Sequence, residues 1–266
     1  TCASIKMLTQ SKERIFEKEK SEYTLRCLKS IVNSINYSKD ELKNIKIKFT
    51  IIDFKSENNI IDKFNSILQN NFFSFEIKSL DYDKYSTYIS EKNEENKSVT
   101  DNQKSNMSNI YQSLDLSKKC DDLIYFVEDD YLHTKNSILE MVLAYEKFSS
   151  QLNKEIFLCP ADYPYLYRDV ENTNILIGDK SHWRTINQTL CTFLTSREMI
   201  SKYYDKMAQM CKYEHYPFEK PLHEIYKKEF CFSPIPSIAI HCTNINSIYG
   251  ISPNLDIKKV WEECSF

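Results

Sequence analysis

Residues 122–131 read Asp-Leu-Ile-Tyr-Phe-Val-Glu-Asp-Asp-Tyr, an apolar run that stops abruptly on three consecutive acids. The β-branched and aromatic residues predict a strand buried on both faces, as found inside a parallel sheet. In open α/β sheets ligands bind at the carboxyl ends of the strands, where Glu128, Asp129 and Asp130 stand. Clustered carboxylates repel one another unless protons or a cation intervene, so this stretch favours a hard divalent metal.

Glycine is almost absent from the chain. A Gly-x-Gly-x-x-Gly turn or a Walker loop needs several glycines for close backbone approach to phosphate, and only Gly178 and Gly250 occur. The sequence therefore excludes both common phosphate-binding loops. A metal ion is the natural substitute.

The composition of the 266 residues, with 41% hydrophobic and 27% charged, is that of an ordinary globular protein. A net charge of −3 argues against nucleic acid as a partner. The nine cysteines show no CxxC pair or zinc-ligand spacing, which predicts buried, reduced thiols and a cytoplasmic protein. No apolar run is long enough to span a membrane, which leaves peripheral association with its inner face open.

Strands and helices alternate along the chain. The apolar spacing predicts helices over residues 23–35, 59–68, 110–116, 137–148, 196–210 and 222–228, and strands over residues 2–8, 45–52, 72–77, 156–159, 189–194 and 238–241. This order is typical of a mostly parallel sheet with one antiparallel extra element. Residues 165–185 indicate a loop or hairpin, and the polar residues 81–109 a long loop, either simply mobile or a lid over an acceptor.

Three segments resemble the GT-A glycosyltransferases, and within them the family 2 nucleotide-sugar transferases. Residues 50–59, Thr-Ile-Ile-Asp-Phe-Lys-Ser-Glu-Asn-Asn, are similar to that family's second strand and turn. Residues 125–130 resemble its Asp-x-Asp region, and residues 222–241 its closing helix and strand. The resemblance implies one GT-A (Rossmann-like) α/β domain over residues 1–266, with a mixed, mostly parallel sheet flanked by helices. Residues 1–150 would bind the nucleotide-sugar, and residues 151–266 would bind the acceptor and carry catalysis.

The resemblance implies a nucleotide site around Asp53. This carboxylate would accept hydrogen bonds from the uracil or ribose, with Glu57 following in the same turn; the alternative is that Asp53 caps the next helix. The resemblance also implies that Asn109 lies near the donor.

The resemblance further implies that Mn²⁺ or Mg²⁺ binds at the three acids. Asp130 is the expected direct ligand, with Glu128 and Asp129 beside it, and His241 would complete the coordination at the end of the last strand. His133 is the rival histidine. The alternative for the acids is helix capping or plain exposure to solvent.

A general base is needed if the reaction inverts the anomeric centre. Family 2 members place an acid just before the helix that precedes the closing strand. Glu219 stands nearest that position, with Glu224 as the second candidate, but the family's Glu-Asp pair is absent. Both acids could instead be solvent-facing helix residues.

The acceptor or the donor sugar has candidate binding residues after another predicted strand. Asp162 could bind sugar hydroxyls there, and Tyr163, Trp183 and Arg184 supply the aromatic faces and cationic fork that sugar and phosphate sites use.

The resulting expectation is a metal-dependent glycosyltransferase that moves a sugar from a nucleotide-diphosphate donor, preferably a UDP-sugar. The acceptor would be a glycan or a lipid-linked molecule in cell-surface polysaccharide synthesis. Two alternatives stay open: a non-catalytic GT-A-like binding subunit, and a metal-dependent phosphohydrolase. The abrupt start at Thr1 and end at Phe266 hint at a fragment of a longer protein. The sugar, the linkage, the stereochemical outcome and the oligomeric state stay open at this point.

Overall fold

The computed structural model describes Thr1, residues 3–4, 15–242 and 255–266. The strand predicted over residues 2–8 therefore lies, apart from Ala3 and Ser4, outside the described residues. The helices are α1 Lys20–Tyr37, α2 Lys39–Leu42, α3 Asn58–Leu68, α4 Tyr82–Ser86, α5 Asp101–Ser117, α6 Ser137–Leu152, α7 Arg197–Lys212, α8 Lys220–Tyr226 and α9 Ile257–Glu263. The strands are β1 Lys48–Asp53, β2 Ser74–Ser79, β3 Leu123–Phe126, β4 Tyr131–His133, β5 Phe157–Leu158, β6 Ile175–Ile177, β7 His182–Ile186, β8 Phe193–Ser196, β9 Cys231–Ile235 and β10 Ala239–His241.

The fold is α/β, as predicted, but the prediction of a mostly parallel sheet was wrong. The main sheet has six strands in the order β3-β8-β5-β9-β7-β6, and among these described strands only β5 and β9 pair in parallel. Strands β1 and β2 form a separate parallel pair, and β4 and β10 an antiparallel pair. A buried strand has the same apolar composition in either orientation, so the residue pattern could not reveal that β8 runs against both of its neighbours.

Strand β3 differs from its prediction in its burial and in the element that comes after it. Ile124 is buried, but Leu123, Tyr125 and Phe126 are only partly buried, because β3 comes last in the pairing order of its sheet. After the acids the chain enters β4, a strand that the sequence analysis did not predict. The acids therefore lie in a bend between two strands.

The polar segment 81–109 was predicted as a long loop, and this was wrong over much of its length. It contains α4 and the first half of α5. Helix α5 begins at a capping box: the Thr100 hydroxyl accepts from the Gln103 N–H at 3.3 Å, and Gln103 Oε1 accepts from the Thr100 N–H at 2.8 Å. Met107, Tyr111 and Leu114 form its buried stripe, which the many polar residues around them obscured.

Replacing Thr100 by alanine removes this cap. We expect the free energy of unfolding to fall by about 1 kcal/mol, because the Gln103 N–H in the first turn loses its acceptor. Urea denaturation measures the change. Ser105→Ala, in the interior of the same helix, is the control and should leave stability unchanged or slightly higher, since alanine favours helix; equal losses for both variants would contradict the capping role.

One hydrophobic core joins the two predicted halves of the chain. Its members include Leu28 and Ile31 of α1, Phe157 of β5 and Ala239 of β10. The predicted apolar stripe of α1 is confirmed. The eight cysteines among the described residues are free. Seven of them are buried, as predicted, whereas Cys120 is only partly buried. No helix in the described part of the chain is long and apolar enough to cross a membrane.

Candidate functional site

The antiparallel pairing of β4 with β10 brings Asp130 and His241 together. In this register His241 lies opposite Tyr131, and the Cys242 N–H donates to the Asp130 carbonyl oxygen at 2.8 Å. His241 Nε2 then lies 3.2 Å from Asp130 Oδ1, and both side chains are largely buried. The Tyr131 ring stacks on the imidazole, with centroids 4.7 Å apart. The two residues proposed from sequence as metal ligands are therefore direct neighbours.

Glu128 shares this acidic environment and is held by Thr192. The Glu128 N–H donates to the Thr192 hydroxyl at 3.0 Å, and this hydroxyl donates to Glu128 Oε2 at 3.2 Å. Burial raises the pKa of Glu128 to about 8, and the charges of Asp130 and Glu219 add to the rise while His241 opposes it. Thr192 lies just before β8 and carries no sequence signal that could have marked it as a site residue.

Asp129 pairs with groups at the start of the chain and of α1. Its carboxylate accepts from the Thr1 hydroxyl and lies 3.5 Å from Lys20 Nζ at the start of α1. Burial would raise the pKa of Asp129, but the charges of Lys20 and the Thr1 amino group hold it below its ordinary value. The three acids thus divide into one with its own cation and two that face His241.

Glu219 is the fourth member of the cluster. It immediately precedes α8, is 8% exposed, and has Oε1 3.9 Å from Cys191 Sγ. Burial raises its pKa to about 7, partly opposed by the charge of His241. A buried carboxyl group with a pKa near neutrality can accept a proton from a substrate hydroxyl. The alternative of a solvent-facing acid therefore does not hold for Glu219.

Glu224 and His133 lie apart from this cluster. The Glu224 carboxylate is 44% exposed and pairs with Lys206, so it has the solvent-facing position that the sequence left open. His133 is buried between the Ser30 hydroxyl at 3.1 Å and the Tyr125 hydroxyl at 2.6 Å. Burial lowers the His133 pKa to about 3. With both ring nitrogens hydrogen-bonded, His133 does not compete with His241 as a ligand.

The donor set suits a hard divalent cation completed by substrate. Among the described residues, no three His, Cys, Asp or Glu side chains are already arranged as a metal site. Mg²⁺ in phosphate-transfer sites is commonly held by one or two carboxylates plus substrate phosphates and water, and imidazole also suits Mn²⁺. Asp130, His241 and Glu128 fit that pattern.

Asp53 lines a cleft of about 720 Å³ at the carboxyl ends of β1 and β2. Its carboxylate accepts from the Ser56 N–H at 3.0 Å and the Ser56 hydroxyl at 2.6 Å, so it closes the turn before α3. Phe54 also lines the cleft, and its ring stacks on Tyr82 with centroids 5.1 Å apart. Asp53 thus has a structural role in the turn while also bordering a cavity.

Glu57 and Asn109 surround the same strand end. Glu57 is the N-cap residue of α3, without a side-chain cap, and its N–H donates to Ser4 Oγ at 2.8 Å. Asn109 Nδ2 donates to the Ile52 carbonyl oxygen at 2.9 Å and so joins α5 to β1. The Thr1 amino group also donates to this oxygen, and the Thr1 hydroxyl binds Asp129, which connects the end of β1 to the acids.

The four residues proposed for sugar binding form hydrogen bonds with one another or with other residues of the protein. Arg184 donates from Nε and Nη2 to Asp162 Oδ1, at 3.2 and 2.9 Å, and both side chains are buried. Tyr163 is buried and hydrogen-bonded to the Tyr131 hydroxyl at 2.6 Å. The proposal for Trp183 does not fit the structure, because its indole is fully buried and donates to Glu140 at 3.0 Å.

The buried Arg184–Asp162 pair predicts a large stability effect. Arg184→Leu should lower the free energy of unfolding by about 3–5 kcal/mol, because the buried Asp162 carboxylate would lose its cationic partner. Adding Asp162→Asn should recover part of the loss, and denaturant unfolding measures both. Lys46→Leu, which breaks an exposed pair with Asp121 at 3.6 Å, is the control and should change stability little. No recovery in the double variant would contradict the explanation.

Neither a protein-family model nor a curated protein sequence matches the chain.

Proposed function

We propose that this chain is a metal-assisted glycosyltransferase of the GT-A type that transfers a sugar from a UDP-sugar to a glycan or lipid-linked acceptor. The observation that carries the proposal is the 3.2 Å approach of Asp130 to His241, with Glu128 and Glu219 in the same charged neighbourhood. Carboxylates and an imidazole from separate segments converge at the ends of strands. This convergence supports the proposal.

Asp130 and His241 would hold the cation, with Glu128 beside them. A bound divalent cation would neutralise the negative charge that develops on a leaving nucleoside diphosphate. Asp130 would orient toward the donor diphosphate, and His241 is kept in place by its stack on Tyr131. Thr192 holds the Glu128 carboxylate through its hydroxyl.

Glu219 would act as the general base if the transfer inverts the anomeric centre. With a pKa of about 7, its carboxylate is half ionised near neutrality and can remove a proton from an acceptor hydroxyl. The proton would move to a carboxylate oxygen of Glu219. The cleft beside Asp53 would take the uracil and ribose, because it lies at the end of the strand that Thr1 links to Asp129.

Thermal unfolding with and without UDP and Mn²⁺ tests the proposal. Ligand at a hundredfold excess over its dissociation constant adds about 2.7 kcal/mol, which raises the melting temperature by about 5–10 °C for a chain of this size. We expect this shift with UDP plus Mn²⁺ and its loss with EDTA. No shift with any nucleoside diphosphate would refute the proposal.

Turnover assays separate the alternatives. Release of UDP from a panel of UDP-hexoses, with acceptors present, is expected for the transferase. Hydrolysis of p-nitrophenyl phosphate without UDP release would indicate the phosphohydrolase. UDP binding without any turnover would indicate a non-catalytic binding subunit.

A further inference from the structure

Residues 87–100, here called the strap, connect α4 to α5 and lie against residues 212–220, here called the base segment. The base segment runs from the end of α7 to the start of α8 and contains Glu219. Backbone hydrogen bonds join the two: the Ser90 N–H donates to the Lys212 carbonyl oxygen at 2.8 Å, and the Glu94 N–H to that of Glu214 at 3.2 Å. The strap is therefore bound to the segment that carries the candidate base.

The Glu94 side chain contacts the base segment on both sides of Glu219. Its Oε2 accepts from the Tyr216 N–H at 2.9 Å, and its Oε1 pairs with Lys220 Nζ. Oε1 also lies 3.6 Å from His215 Nδ1. A single carboxylate thus fixes the backbone three residues before Glu219 and the side chain directly after it.

Glu214 makes the reciprocal contact from the base segment. Its buried carboxylate accepts from Asn93 Nδ2 at 3.0 Å in the strap and from Gln103 Nε2 in α5. Glu94 of the strap therefore contacts the base segment, and Glu214 of the base segment contacts the strap. Hydrogen bonds to a charged acceptor are stronger than neutral ones, which favours a fixed geometry.

We infer that the strap holds Glu219 in the acidic cluster and that Glu94 is a positioning residue for the proposed reaction. The inference rests on the proposed function in treating Glu219 as the base. Without the Glu94 contacts at Tyr216 and Lys220, the base segment can move outward and water can reach the Glu219 carboxylate. Lys220 holds the pKa of Glu94 at about 2, so the contact persists throughout the neutral range.

An activity-independent test compares the effect of Glu219→Gln in different backgrounds at pH 8 with EDTA. In the wild type this substitution should raise the melting temperature by about 2–4 °C or more, because a buried carboxylate is replaced by a neutral amide. In the Glu94→Ala background, Glu219→Gln should no longer raise the melting temperature, because the Glu219 carboxylate is then already hydrated. Glu91→Ala is the matched control: it removes a strap acid that pairs with Lys104 at 2.8 Å, and the increment should remain.

Kinetics on the UDP-hexose that the wild type turns over give the second readout. Glu94→Ala should lower kcat by about ten- to a hundred-fold through misplacement of the base, with the donor KM and the stabilisation by UDP and Mn²⁺ unchanged. Glu94→Gln keeps an acceptor for the Tyr216 N–H, so its kcat should fall less. This variant also replaces Glu94→Ala in the test if Glu94→Ala does not fold. A full Glu219→Gln increment in both Glu94 variants would overturn the inference. An inactive wild type would instead refute the proposed function, and the melting increments would still decide the positioning role.

Discussion

Asp130→Asn is expected to abolish the stabilisation by UDP and Mn²⁺ and to lower UDP release by about a thousand-fold. Asparagine keeps the size of the side chain but loses the charge that faces His241 at 3.2 Å. Metal assistance supplies several kcal/mol of charge stabilisation, and about 4 kcal/mol corresponds to a thousand-fold in rate. Isothermal titration with Mn²⁺ and UDP, together with initial rates, measures both losses.

Asp129→Asn is the matched control, since it makes the same chemical change one residue away. Asp129 faces Lys20 and Thr1, so the variant should keep its Mn²⁺-dependent stabilisation and most of its rate. If both substitutions reduce binding equally, the assignment of the metal to Asp130 rather than Asp129 is wrong. Full binding by Asp130→Asn would remove Asp130 from the metal site.

Glu219→Gln is expected to raise the free energy of unfolding and to lower the rate of transfer. The pKa of Glu219 is about 7 in the folded chain against an ordinary value of 4.5, so the folded state binds the proton more tightly. Stability from this group is therefore complete below pH 4.5 and is lost as the pH rises through 7. Removing the charge at pH 8 should add about 1–3 kcal/mol to the free energy of unfolding, with no gain at pH 4.5.

The rate should change in the opposite sense. In the wild type kcat should rise with pH through about 7 as Glu219 loses its proton, and the glutamine variant should lose this limb together with most of its rate. Denaturant unfolding at the two pH values and a pH–rate profile provide the measurements. Glu224→Gln, at an exposed acid in the following helix, should show neither effect. A stability gain without loss of rate would show that Glu219 is buried but does not act as the general base.

The sequence predicted the proximity of certain polar residues better than it predicted the sheet. Short motifs that resemble those of the GT-A family placed Asp130, His241 and Glu219 at the end or start of an element. In the structure Asp130 contacts His241, and the charge of His241 acts on Glu219. Such patterns depend on chemistry next to a strand end. Strand orientation depends on distant pairing, so β8 and the β4–β10 pair could not be assigned in this way.

Other errors have local physical causes. Strand β9 and helix α9 were not predicted; β9 contains Pro234, a residue that usually argues against an interior strand. Trp183 was assigned to a sugar site because aromatic residues suit both sugar faces and hydrophobic cores. The full burial of the indole and the donation of its N–H to Glu140 distinguish the two uses. Thr192 and Glu94 contact residues that are remote in sequence, so no local pattern marks them.

The pairing of β4 with β10 makes the Asp130–His241 contact depend on strand register. Side chains alternate between the two faces of a strand, so a shift of one residue would turn His241 to the opposite face. A single inserted or deleted residue within either short strand would separate the pair even if every site residue were retained. Exposed connections such as residues 168–174 tolerate changes in length more readily, because they set no register. Among diverging copies of this chain, the spacing within these two strands should therefore vary less than the lengths of the loops.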